Sequence, residues 1–247
     1  MSHLYYLQQI EILDYLIKDK KTFFVVDIEG PFDMGVGVWV KDIYEFEEFY
    51  LNFKEKYKQY IGKEQISIFT YAYHFHRPYL LEKKQTEEKT LYFGKSTLEK
   101  HDEIDLKILN LISSNARIPI IEISKKLNMP ERTVAFRIRQ LEKKKIIQGY
   151  RALFNLNLLG YEYYKVDFIL KNISRLKDLI NYAILHPNIV YIDQTISGSD
   201  FEFDLEVKNK EEFLKIINEL RTKFSEIREW NYFTVKKYDK LIYFPQV

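Results

Sequence analysis

Between residues 131 and 145 the chain reads ERTVAFRIRQLEKKK. At helical spacing Val134, Ile138 and Leu141 fall on one face. Arg132, Thr133, Phe136, Arg137, Arg139, Gln140 and Lys143 fall on the other. Guanidinium, amide and hydroxyl groups on such a face can hydrogen-bond base edges, and Arg and Lys can neutralise phosphates. Arg132 and Thr133, near the start of the helix, are placed for base edges, and Arg137, Arg139 and Lys143 for phosphates. Charge supports this chemistry. Residues 101–151 hold eleven Lys and Arg against six Asp and Glu, a net of +5, whereas the whole chain has 38 against 36. The basic charge is therefore gathered where a polyanion would need it.

Other chemistry finds less support. His74 and His76 alternate on a strand and could face one way as metal ligands, but no third ligand accompanies them, so no metal is expected. Gly35-Val36-Gly37 lies inside a strand and lacks the helix start of a phosphate-cradling loop. There is no cysteine in the 247 residues, which removes disulfides and thiolate catalysis. No Ser/His/Asp set declares itself. The chain therefore reads as a non-enzyme without a cofactor.

The basic helix needs neighbours to hold it. The first, from about Asp102 to Ser114, carries Ile104, Ile108, Leu111 and Ile112 as one apolar stripe, with Asp102 and Asp105 at its positive end. The second, Ile120 to Leu127, turns Ile120, Ile123 and Leu127 inward. Asn128 and Met129 form a tight turn and Pro130 opens the third helix. A strand is expected to follow. A short helix, a tight turn and a helix with a basic outer face make helix-turn-helix geometry, which fits the major groove of double-stranded DNA.

The motifs DEIDLKIL, NAR, EISKKL, RIRQLEK and IIQGY, in that order, resemble the leucine-responsive regulator (feast/famine, Lrp/AsnC) family of transcriptional regulators. Asp102, Asp105, Ile108, Leu109, Asn115, Ala116, Arg117, Leu141, Glu142 and Gly149 carry the likeness. Two positions depart from the pattern. Pro130 replaces the usual Ser or Thr cap, so a capping bond is lost. Lys145 stands where glycine commonly ends the third helix, so it must turn left-handed or the helix must end differently. The resemblance implies sequence-specific DNA binding controlled by a small effector such as an amino acid. It also suggests the tandem archaeal form, here without its first helix-turn-helix. Sirohaem decarboxylases resemble the same family, so a tetrapyrrole enzyme with a vestigial helix-turn-helix is the alternative.

The expected fold class is α+β: a winged-type helix-turn-helix flanked by two ferredoxin-like (βαββαβ) sensor and assembly domains, the N-terminal one incomplete. The expected divisions are residues 1–80 for the incomplete domain, 81–100 for a charged linker, 101–153 for the helix-turn-helix and 154–247 for the complete domain. In the last, strands at 162–170, 189–196, 201–208 and 231–238 alternate with helices at 174–185 and 210–224. The N-terminal region repeats this pattern with a helix at 7–19, strands at 22–29, 34–41 and 65–75, and a helix at 43–60. Gly30 matches Gly198 at an offset of 168, and after one residue of slippage Phe46 matches Phe213 and Pro78 matches Pro245 at 167.

In the resembled family small ligands lodge by the turn between the second and third strands. That implies Gly198, Ser199 and Asp200 here, with Gly30, Phe32 and Asp33 in the other copy, and Asp200 as the group for an amino nitrogen. The strands carry Tyr163, Val166, Phe168, Val190, Ile192, Phe203, Leu205, Tyr232 and Phe233, read as apolar on both sheet faces, so sheet-to-sheet pairing is expected. A palindromic site further requires a dimer or larger assembly. No apolar run reaches the length needed to cross a bilayer, about 18 residues, so no membrane partner and a cytoplasmic location are expected.

Overall fold

The computed structural model of the chain describes residues 3–81, 89–95 and 98–245. It divides into two compact units. One comprises Met1–Glu64, Glu99–Ile147 and Lys236–Val247, the other Gln65–Leu98 and Gln148–Val235.

The second unit is the ferredoxin-like sheet. Strands β5 (Glu162–Leu170), β6 (Ile189–Ile196), β7 (Phe201–Val207) and β8 (Ile227–Leu241) run in the order β8-β5-β7-β6, with helices α6 (Leu176–Leu185) and α7 (Lys210–Lys223). Strand alternation puts Val166, Phe168, Ile192, Phe203 and Leu205 on one face, where they join Leu179, Phe213 and Ile217 from the helices in a closed core. Tyr164 stacks on Phe213 at 4.1 Å between ring centres.

The opposite face departs from expectation. It is charged, because Tyr163 and Val166 lie on opposite sides of β5 and the residues in phase with Tyr163 are Lys165 and Asp167. Lys165 Nζ lies 2.6 Å from Asp193, 3.0 Å from Glu202 and 3.4 Å from Asp204. Burial pushes Asp204 up to about 7 and Asp167 up to about 6, with Lys165 pulling both down. Tyr163 donates its hydroxyl to Asp204, and Thr195 donates to Glu202 at 2.5 Å. Arg77 grips Glu206 through Nε at 2.7 Å and Nη2 at 2.8 Å, and Tyr79 donates to the same carboxylate.

Two further strands extend this sheet. β3 (Ile68–Phe75) pairs antiparallel with β6, and β4 (Lys89–Phe93) with β3. Residues 65–98 thus pack with 148–235, so the compact units do not follow the division expected at residue 80. β4 lies within the expected linker, of which 82–88 and 96–97 are outside the described residues.

The first unit holds α1 (His3–Lys18), β1 (Thr22–Glu29), β2 (Met34–Val38) and α2 (Ile43–Tyr57) around Leu16, Val25 and Phe49. Lys240, from the end of β8, donates to Asp19 O at 2.6 Å and to Thr22 Oγ1 at 3.0 Å. The glycines of β2 serve close packing. A Cβ on Gly37 would lie 2.2 Å from the ring of Phe24.

The internal repeat is real, and its register is simpler than expected. The offset is 167 on both sides of the turn. Val25 pairs with Val36 as Ile192 pairs with Phe203, and the bulge between Thr22 and Phe24 recurs between Ile189 and Tyr191. Asp42 caps α2 by accepting from Glu45 N–H at 2.9 Å, while Glu45 accepts from Lys41 N–H at 2.6 Å. Asn209 and Glu212 repeat this box on α7 at 2.9 Å and 2.8 Å. Gly30 therefore corresponds to Ser197, and both have positive φ, 152° and 71°. β3 corresponds to the distal half of β8, so each repeat gives the end of its last strand to the unit that holds the other repeat's helices.

Candidate nucleic-acid interface

The helix-turn-helix is built from α3 (Glu103–Ser114), α4 (Ile120–Leu127) and α5 (Glu131–Lys143). α3 opens on a reciprocal box. Asp102 accepts from Asp105 N–H at 2.9 Å, and Asp105 accepts from Asp102 N–H at 3.2 Å. α4 ends at Asn128, left-handed at φ 49°, and Ser124 Oγ donates to Met129 O at 2.5 Å across the turn. Pro130 starts α5 without a side-chain cap. Lys145 does adopt the left-handed region, φ 58°, and lets Ile146 N–H reach Leu141 O at 3.0 Å.

Ile108, Leu109, Ile123, Val134, Leu141 and Ile147 form the core, with Ile138, Leu127 and Met129 against it. Phe244, from the far end of the chain, also packs there; its partners lie about a hundred residues away, so no local pattern marked it. Two expectations fail. Ile120 is 39% exposed, because the first turn of α4 projects past the core that Ile123 fills. The strand expected after α5 is not formed; residues 148–155 carry no regular structure.

Burying Val134 and Leu141 fixes the rotation of α5, and that rotation turns Arg132, Phe136, Arg139 and Lys143 out to solvent. Thr133 and Gln140 flank them, half-buried. Arg137 is the exception. Its Nη1 lies 3.0 Å and 2.9 Å from the two carboxylate oxygens of Asp102 and 2.8 Å from Asp105. The hydrogen bonds it donates to Asp105 first and Asp102 second hold the guanidinium charge firmly in place. Asp102 in turn is held below the usual carboxylate range by Asp105 N–H first and Arg137 second. Arg137 ties α5 to the start of α3. A sequence pattern shows only that it leaves the core face.

A winged helix-turn-helix DNA-binding model matches residues 101–148. The transcriptional regulator FL11 of Pyrococcus furiosus is 28% identical over 111 residues, covering 45% of this chain and 74% of that protein. The HTH-type transcriptional regulator Ptr1 of Methanocaldococcus jannaschii is 34% identical over 99 residues, covering 40% of this chain and 67% of that one. The chain belongs to the leucine-responsive regulator family. It carries a winged helix-turn-helix DNA-binding domain, and FL11 and Ptr1 are both named HTH-type transcriptional regulators. Solved structures share the fold. E. coli AsnC superposes with a TM-score of 0.52 at 17% identity, over 60% of this chain and all of that one. A Neisseria meningitidis regulator solved with L-Met gives 0.52 at 16%, over 58% and 95%.

The turn residues singled out for an effector are engaged in the fold. In the second unit Asp200 Oδ2 accepts from Leu170 N–H at 2.7 Å, and Ser199 Oγ donates to Phe201 O at 3.3 Å. A Cβ on Gly198 would lie 2.6 Å from Thr195 Oγ1. In the first unit Gly30 follows β1, Asp33 O accepts from Ile28 N–H at 3.1 Å, and Lys63 Nζ sits 4.8 Å from the Phe32 ring centre. His74 meets Arg151 Nη1 at 2.5 Å, and burial, then Arg151 and Arg77, pull it down to about 3. It is therefore neutral. Among the described residues no group of three or more His, Cys, Asp or Glu could hold a metal.

Proposed function

We propose that α5 is the reading helix of a sequence-specific regulator of double-stranded DNA. Arg132 and Thr133 meet base edges near its N-terminus, and Arg139, Gln140 and Lys143 meet phosphates or outer bases. The observation that carries this is the exposed basic face of α5 behind a closed core. Arg137 acts at one remove, as a positioning residue. We read the chain as a regulator rather than a tetrapyrrole enzyme because the relatives named above are regulators and that face is intact. A genome-wide pull-down of bound DNA with the intact protein tests it. Enriched inverted repeats support the reading, and no enrichment over input counts against it.

The working assembly is at least a dimer, since each chain supplies one helix-turn-helix among its described residues and a palindrome offers two half-sites. A small effector, an amino acid, acts beside the turns at Gly30–Asp33 and Gly198–Asp200, and the L-Met complex of the Neisseria regulator supports that class. Asp200 has one carboxylate oxygen already committed, so the amino group takes the other or a backbone carbonyl. A thermal-shift screen of the twenty amino acids tests this, and no shift at millimolar concentration argues against it. We further read the protein as cytoplasmic, at work on chromosomal DNA.

A further inference from the structure

Phe136 is the one large apolar side chain on the outward stripe of α5, at 55% exposure. The other apolar residues of that helix are put away. Val134 is fully buried, Leu141 is 1% exposed and Ile138 packs on the core. Its neighbours one turn before and after are Arg132 and Gln140, with Thr133 and Lys143 beside them.

This setting selects the occupant. An apolar protein surface laid on Phe136 would also strip water from Arg132 and Lys143 and return nothing for their charge. A DNA major groove satisfies both, because phosphates and guanines take the cations and the C5-methyl of thymine offers the groove's apolar contact. We infer that Phe136 is a specificity-determining residue that reads a thymine methyl, set between the bases met by Arg132 and the phosphates met by Lys143. The inference deepens the reading of α5 given above and rests on it.

The methyl can be removed without touching the pairing. In a duplex selected by the intact protein, each thymine is replaced singly by deoxyuridine and the Kd is measured by anisotropy. One position per half-site should lose about fourfold, the worth of a buried methyl-sized group, about 0.8 kcal/mol. Phe136→Ala should bind the thymine and deoxyuridine duplexes equally, with its salt dependence kept. Phe136→Leu should restore part of the difference. The inference is overturned if wild type tolerates every deoxyuridine, or if Phe136→Ala keeps the loss. In those cases duplex binding itself still stands. If wild type binds no duplex, the reading of α5 falls and takes this inference with it.

Discussion

Replacing Arg137 with alanine separates holding the fold from holding DNA. Arg137 Nη1 lies within 3.0 Å of three carboxylate oxygens on Asp102 and Asp105. The Asp105 side chain is 12% exposed and that of Arg137 24%. A charge-assisted bond out of water is worth about 1.5–3 kcal/mol and an exposed pair about 0–1. This pair lies between, so Arg137→Ala should cost about 1–2 kcal/mol, with roughly 2–4 °C of melting temperature per kcal/mol. Asp102 sets the pH range. Its folded pKa is depressed, so its contribution is present above the unfolded value of about 3.9 and is lost as pH falls through the folded one. The two proteins should therefore converge in stability in strong acid. On DNA the expectation is different. Each phosphate contact contributes about 0.9 to the slope of log K against log salt. Arg137→Ala should leave that slope unchanged, whereas Lys143→Ala should flatten it by about 0.9. An Arg137→Ala protein as stable as wild type, with a slope flattened by about 0.9, would refute the positioning role.

Lys145→Gly should raise the midpoint of urea unfolding by the equivalent of about 1 kcal/mol, since a left-handed lysine is strained by roughly 1–2; an unchanged or lower midpoint contradicts this. Lys165→Met should destabilise by about 3–5 kcal/mol at pH 8, because it leaves buried carboxylates without their cation. The loss should shrink at pH 5, where Asp204 carries a proton, and a small loss independent of pH would count against it. Asp204 titrates higher folded than unfolded, so the folded state binds the extra proton and stability falls as pH rises from about 4 to about 7. Asp204→Asn should flatten that decline in chemical denaturation curves, and an unaltered decline would move the cause elsewhere.

Local signals carried much of this fold. Strands at Thr22–Glu29, Glu162–Leu170 and Ile189–Ile196 and the helix at Ile120–Leu127 stand where alternation, helical spacing and turn residues put them. At Lys145 two outcomes stood open, a left-handed lysine or a different helix end, and the chain takes the first. Long-range choices were not legible. The pairing of β3 with β6 joins residues more than a hundred apart, and both strands would suit several neighbours equally well. The charged face of β5 and β7 was hidden because aromatic and β-branched residues of opposite phase were counted together. At the interface, spacing found the outward residues of α5. It did not find that Arg137 leans back on Asp102 and Asp105, since several rotatable bonds separate its backbone from that choice.

The central claim is that the outward face of α5 reads duplex DNA. The most direct measurement is the Kd of the intact protein for its selected duplex against a scrambled one, for wild type and Arg132→Ala. Wild type should prefer the selected site strongly. Arg132→Ala should lose about 1–3 kcal/mol on that site while keeping its affinity for the scrambled one. Equal binding of both duplexes by wild type, or no effect of Arg132→Ala on the preference, would contradict it.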